Sequence, residues 1–167
     1  MVMFRRILCP TDFSEPSRKA IELARSLAVQ FGAELRIMHC VEPVTIHGPT
    51  IDMGAPSSAF DVAGYQDLIL KQAEESLRAL GAELSSRELE VSIHLARGKP
   101  GEEIAAHAED FGADLVIIAT HGESGWRRFL FGSVAEKVMR TARCPVLTVH
   151  EDGGGASVRP PGPAAER

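Results

Sequence analysis

The sequence predicts an α/β fold, a three-layer sandwich with helices on both faces of a five-stranded, mostly parallel sheet. Three observations predict it. Short apolar runs rich in Val, Ile and Leu alternate with longer segments of helical period. A strand, helix, strand succession implies crossover connections and therefore parallel neighbours. The fourth run, Ala113-Asp114-Leu115-Val116-Ile117-Ile118-Ala119, is a short apolar strand signal, in keeping with a mostly parallel, buried sheet.

The first strand is read at Phe4-Arg5-Arg6-Ile7-Leu8-Cys9, stopped by Pro10. Thr11-Asp12-Phe13-Ser14 then leads into a helix, with Ser14 as N-cap, Glu15 at the positive helix end and Pro16 in the first turn. Ala20, Ala24, Leu27, Ala28 and Phe31 recur at helical spacing until Gly32 ends the helix. Glu34 to Val41 is the second strand. Residues 42–60 are rich in Pro, Gly, Ser and Thr and long for a connection, so a flexible loop, a lid or a partner surface is expected there.

A helix is expected from about Asp61 to Ser85, with Tyr65, Leu68, Ile69, Ala73, Leu77, Leu80 and Leu84 on one side. Val91, Ile93 and Leu95 alternate as the third strand. Gly98-Lys99-Pro100-Gly101 turns into a helix that buries Ile104, Ala108 and Phe111 and is capped by Gly112. After the fourth strand comes a glycine-punctuated loop, Thr120 to Phe131, and Gly132-Ser133 opens a helix that reaches Ala142. Cys144 to Val149 is the fifth strand. Residues 151–167 contain Gly153-Gly154-Gly155 and Pro160-Pro161-Gly162-Pro163 and read as a disordered tail, which leaves 1–150 as the domain.

At 167 residues one domain with a substantial core is expected. A net charge of −5 gives no general attraction to nucleic acid or anionic membrane. No apolar run approaches the ~20 residues that span a bilayer, and no signal-peptide core follows Met1 to Arg6. A cytoplasmic address is expected, without membrane or nucleic-acid partners. The cysteines, Cys9, Cys40 and Cys144, form no C-x-x-C pair and read as small buried side chains at strand edges in a reducing compartment, the alternative being a reactive or metal-binding thiol.

In open parallel sheets ligands bind beyond the carboxyl ends of the strands, where the strand order reverses. Those ends carry Pro10-Thr11-Asp12, Cys40-Val41 and Ala119-Thr120-His121-Gly122. A glycine loop followed by a helix starting on Gly132-Ser133 is also how backbone N–H groups and a helix N-terminus are brought to a phosphate. The competing reading makes Gly122 a turn residue and Gly132-Ser133 a helix cap. His121 has no partner placed by motif, so no catalytic residue is assigned. His39 reads as a packed strand residue, and the other histidines lack metal-ligand spacing. Arg127 and Arg128 sit inside the loop, either reaching a polyphosphate or solvated.

With these residues in this order, the chain resembles the universal stress protein family from about Phe4 to His150. The resemblance is carried by Ile7-Leu8-Cys9-Pro10-Thr11-Asp12-Phe13-Ser14, Met38-His39-Cys40-Val41, Gly98-Lys99-Pro100 before Glu103-Ile104, Gly132 to Val138, and Cys144-Pro145-Val146-Leu147. It implies a Rossmann-like sheet of the adenine nucleotide alpha hydrolase-like type, in the order 3-2-1-4-5. Nucleotide-binding members carry a Gly, two residues, a Gly, nine residues, then Gly-Ser or Gly-Thr; Gly122 and Gly132-Ser133 match, and Ala119 stands where the first glycine would be. If that position needs a positive φ, the Cβ is costly; if it needs only close approach to a ribose, alanine serves.

The resemblance further implies ATP as ligand, with or without Mg²⁺. Pro10, Thr11 and Asp12 would line the adenosine pocket, with Asp12 near the ribose or a metal, and the main chain at Cys40 would read adenine. Ala119, His121 and Gly122 would flank the ribose and α-phosphate, while Gly132, Ser133 and Val134 would hold the phosphates. It implies a nucleotide-responsive stress sensor or regulator, with at most slow hydrolysis, since no dedicated base or arginine finger is found; a hydrolase or adenylating enzyme on a similar fold lacks its nucleophile elbow or P-loop here. It also implies a homodimer formed through the edge of the fifth strand. The alternative from another class is a dimeric interaction module of the same fold that binds no nucleotide.

Overall fold

The computed structural model describes residues 4–44, 61–120 and 132–150, together with the backbone of 157–159. Strand β1 (Arg6–Pro10) leads to α1 (Glu15–Phe31), β2 (Glu34–Val41), α2 (Val62–Leu84), β3 (Val91–Arg97), α3 (Pro100–Phe111), β4 (Leu115–Ala119), α4 (Ser133–Thr141), β5 (Val146–Val149) and β6 (Ser157–Arg159). One sheet runs in the order β3-β2-β1-β4-β5-β6. Its first five strands in the chain are parallel and follow the expected order, while β6 lies antiparallel on β5.

The local signals act as chemistry demands. Ser14 is extended and its hydroxyl accepts from Ser17 N, capping α1. Helices α1 and α3 both stop on a glycine in the left-handed region, Gly32 at φ 63° and Gly112 at φ 66°, each N–H returning to the last carbonyls. Among the described residues no helix is long and apolar enough to cross a membrane.

The period-two alternation of the strands sorts their side chains between two cores. Ile7, Cys9, Leu35, Ile37, Leu115, Ile117 and Leu147 face α1 and α2. Leu8, Met38, Val116, Ile118 and Val146 face α3 and α4. Helix α1 presents Ser17, Ala20, Ala24 and Ala28 to the sheet, so it lies close and the large strand side chains fill the space. Ile7, Leu8, Ile37, Val116 and Ile117 are 0% exposed, and each such side chain contributes about 1.5–3 kcal/mol by leaving water.

Two expectations are corrected. Tyr65 and Leu68, read as part of the inner face of α2, are 44% and 50% exposed, whereas Gln66 is buried. The start of α2 meets the chain leaving β2, not the sheet, and Val44 N finds its acceptor in Gln66 Oε1 at 2.7 Å. Ser157–Arg159, expected in a disordered tail, forms β6, with Val146 opposite Arg159, Leu147 opposite Val158 and Thr148 opposite Ser157. The β5 edge leaves backbone groups in need of partners, and this segment supplies them. Of the 42–60 loop, residues 45–60 lie outside the described residues, as does the rest of the tail.

On the α3 face near the β3 edge, His94 and His107 stack with ring centroids 3.7 Å apart. The Arg36 guanidinium lies 3.9 Å from the Phe111 centroid, with Nη1 3.5 Å from His107 Nε2. An arginine only donates, so Nε2 must accept, a role open only to neutral imidazole. Burial, then His94 and Arg36, push the His107 pKa from 6.5 down to about 4, against the pull of Asp110. Burial and Arg36 lower that of His94, against Glu103.

Below pH 6.5 the unfolded chain therefore takes up a proton at position 107 that the folded chain refuses until about pH 4. The stability contribution is complete above that window and is lost as pH falls through it. Urea midpoints are expected to fall by an amount equivalent to ~1 kcal/mol across this window, after discounting for solvent at a half-buried site. His107→Asn, which keeps an acceptor for Arg36, is expected to flatten that part of the slope.

Candidate functional site

The carboxyl ends of β1, β2 and β4 open into one cavity of about 630 Å³, closed on the opposite side by the N-terminal turn of α4 and the start of α3. Its walls include Pro10, Thr11, Asp12, Cys40, Ala119, Gly132, Ser133 and Val134. These residues come from four separate places in the sequence, and the fold brings them together. His121 and Gly122, and with them Trp126, Arg127 and Arg128, lie outside the described residues.

The β1 end is held by a dense hydrogen-bond net. Thr11 N donates to Met38 O at 2.8 Å, extending the β1–β2 ladder past Pro10. The Thr11 hydroxyl meets Ser17 Oγ at 2.9 Å and accepts from Phe13 N at 3.0 Å. Asp12 Oδ1 accepts from both the amide and the hydroxyl of Ser14, an Asx turn that starts α1. Burial pushes the Asp12 carboxyl up, but hydrogen bonds from Ser14, Ser17 and its own backbone outweigh that and leave its pKa below the usual value. The residue stays exposed to the cavity, so the site carries a fixed negative charge at neutral pH.

Phe13 has φ 64°, the one positive φ on a non-glycine among the described residues. Such a backbone costs roughly 1–2 kcal/mol for a residue with a Cβ. Its ring packs on His39, with centroids 4.6 Å apart. His39 Nδ1 donates to Thr11 O at 2.7 Å, because a carbonyl can only accept, which places a proton on Nδ1. His39, read from sequence as a packed strand residue, thus packs and also forms part of the cavity wall. Its strand alternation carried no sign of the second task.

At β2, Cys40 Sγ donates to Gly98 O at 3.4 Å. Burial, with Glu103 and Glu42 nearby, pushes its thiol up to about 11, so it stays protonated and unreactive as a nucleophile. Burial also raises Cys9 and Cys144. All three cysteines are free thiols.

At β4, Ala119 ends the strand with ordinary extended backbone, outside the positive-φ region. The methyl group therefore brings no backbone strain. Thr120, 1% exposed, is tied to β5: its N donates to Val149 O at 3.0 Å, and its hydroxyl lies 3.1 Å from His150 Nδ1. Its carbonyl receives Gly132 N at 2.6 Å.

That last bond changes one assignment. The Gly132 N–H is committed to Thr120 and is not a donor to a ligand in this arrangement. Gly132 matters through what it lacks: a Cβ there would stand 2.9 Å from Thr120 O. The helix begins without a side-chain cap, and the first-turn N–H groups of Ser133 and Val134 have no intrahelical acceptor. Both residues line the cavity, so the positive end of α4 borders it.

Asp12 and Glu42 are the carboxylates among the described wall residues. No group of three or more potential metal ligands occurs among the described residues. Of the residues that sequence reasoning did not place in the site, Met38, Ile104 and Ile118 form an apolar floor. Their core-like character hid that use. The arrangement suits a ligand with a flat apolar part, hydroxyls that can donate to Asp12, and an anionic end turned towards α4.

A family model described as the universal stress protein family matches residues 3–150. Universal stress protein MJ0531 of Methanocaldococcus jannaschii is 31% identical over 147 residues, which cover 88% of this chain and 82% of that protein. Universal stress protein YxiE of Bacillus subtilis is 30% identical over 149 residues, 88% and 99% of the two chains. The solved structure of MJ0577, also from M. jannaschii, is similar with a TM-score of 0.75 at 27% identity, covering 92% of this chain and 100% of that one. Two further structures share the fold at 22% identity and cover 89% of this chain: a universal stress protein in complex with cAMP, TM-score 0.57 over 98% of its length, and one from Archaeoglobus fulgidus in complex with dAMP, TM-score 0.59 over 99%.

Proposed function

Because this chain belongs to the universal stress protein family, we propose that it binds an adenine nucleotide, ATP with or without Mg²⁺, in the cavity at the ends of β1, β2 and β4, and acts as a cytoplasmic nucleotide-responsive sensor or regulator. The observation that carries this reading is the convergence of three strand ends and the α4 N-terminus on one cavity. The cAMP and dAMP bound by two structures of the same fold support it.

In this reading the main chain at Cys40 meets the adenine edge, and Met38 and Ile104 lie against its faces. Pro10 and Thr11 flank the nucleoside. Asp12, kept ionised by its hydrogen bonds, accepts from ribose hydroxyls or faces a cation bound with the phosphates. Ala119, with His121 and Gly122, borders the ribose and α-phosphate. Ser133 and Val134 donate to phosphate oxygens, and Gly132 keeps the approach open. The reading assigns no catalytic residue: it makes the protein a binder, with hydrolysis at most slow.

Thermal unfolding with and without nucleotide tests it. With ATP at a hundredfold excess over Kd the folded state gains ~2.7 kcal/mol, which raises Tm by roughly 5–10 °C for a domain of this size. UTP at the same concentration is expected to give a clearly smaller shift. Equal shifts for ATP and UTP would remove the adenine-specific part of the reading. No shift with either, up to millimolar ATP, would leave the interaction module.

A further inference from the structure

The β5 edge carries its own cover. Strand β6 pairs antiparallel with Val146, Leu147 and Thr148, and thereby takes up the outward backbone groups of the last parallel strand. The orientation matters. A second copy of this chain related by a two-fold axis would also present its β5 antiparallel to this one, because an isologous strand pair has no other geometry. The two partners need the same N–H and C=O groups on the same four-residue strand. They cannot both have them.

We propose that the C-terminal segment is a built-in cap that competes with a second copy of this chain for the β5 edge, and so sets the balance between monomer and dimer. The sequence around β6 fits this task. Six residues separate His150 from Ser157, among them Gly153-Gly154-Gly155, so the cap is tethered by a short, glycine-rich link. Such a link gives an effective concentration on the order of millimolar, far above the micromolar level at which a second chain arrives. Against that advantage, β6 pairs at only three positions, so it is a weak strand that a better partner can displace.

Beyond Arg159 the sequence continues Pro160-Pro161. Neither residue has an N–H, so β6 cannot be prolonged along β5 by them, and a short strand ending in Arg and Pro is a poor template for further strands. The segment thus replaces the β5 edge by a shorter one that is a poor template. The proposal concerns the sheet edge alone and is independent of what the cavity binds.

Sedimentation or light scattering over a concentration series tests it, with the full chain compared to one ending at His150. The truncated chain is expected to dimerise about tenfold more tightly or better. A full-length Ser157→Pro/Val158→Pro variant is expected to match it: successive N–H groups of a strand point to opposite sides, so the pair of prolines removes whichever one faces β5. Equal dimerisation constants for the full chain and the truncated chain would overturn the proposal. So would a proline variant that associates like the unmodified chain. Should the truncated chain prove unfolded, the proline variant alone decides.

Discussion

Gly132→Val is expected to weaken ATP binding by about tenfold or more while the protein stays folded. A Cβ at this position would stand 2.9 Å from the backbone oxygen of Thr120, a residue whose N–H is bonded to Val149 O. The carbonyl cannot swing aside, because it also accepts the Gly132 N–H at 2.6 Å. The α4 start must move instead, and with it the N–H groups of Ser133 and Val134 that face the phosphates in the proposed complex. Overpacking of this kind costs typically ~1–3 kcal/mol, tolerable against the ~5–15 kcal/mol that holds a domain together. Calorimetric titration of the variant reads the binding loss and circular dichroism the fold. Unchanged affinity would place the phosphates elsewhere. Ser133→Ala removes one hydroxyl donor and is expected to cost less, on the order of 1 kcal/mol.

The largest loss of stability is expected from Ile117→Ala. Ile117 is 0% exposed on central strand β4, in register with Leu147 on β5. Across the core lie the alanines of α1, which have no flexible side chains to fall into the void. Deletions of this kind cost ~2–5 kcal/mol, more where the surroundings cannot relax, and this packing points to the upper half of that range. Urea unfolding gives the value. A loss below about 1 kcal/mol would show that the helix closes onto the sheet after all.

The parallel sheet was legible because its signals are local and redundant. Ile7-Leu8-Cys9 and Leu115 to Ala119 could hardly be anything but buried strands, and Ser14, Gly32 and Gly112 cap their helices as their chemistry suggests. Strand β6 was not legible. Ser157-Val158-Arg159 has no periodicity of its own, and only an unpaired edge brought near by the fold makes it a strand. Tyr65 and Leu68 misled for a similar reason: the helical stripe was real, but the sheet beneath it ends before the helix does.

Within the site, the residues that converge were legible from the rule that ligands sit beyond strand ends. Their detailed roles were not. That the Gly132 N–H is spent on Thr120, and that Ala119 keeps an ordinary backbone, depend on positions the sequence does not encode one residue at a time. The left-handed Phe13 and its contact with His39 belong to the same class. A bulky residue with positive φ beside a cavity is the kind of strain that persists only when the surroundings enforce it. Here the enforcing contacts come from Thr11, Asp12 and Ser14.

The most direct test of the nucleotide site is a residue-resolved titration: backbone amide NMR spectra recorded as ATP is added up to millimolar concentration. Saturable shifts are expected at Thr11 and Asp12, at Cys40 and Val41, at Ala119 and Thr120, and at Ser133 and Val134, all following one binding curve. Absence of saturable shifts, or shifts gathered on a surface away from these four stretches, would contradict the assignment of this cavity to an adenine nucleotide.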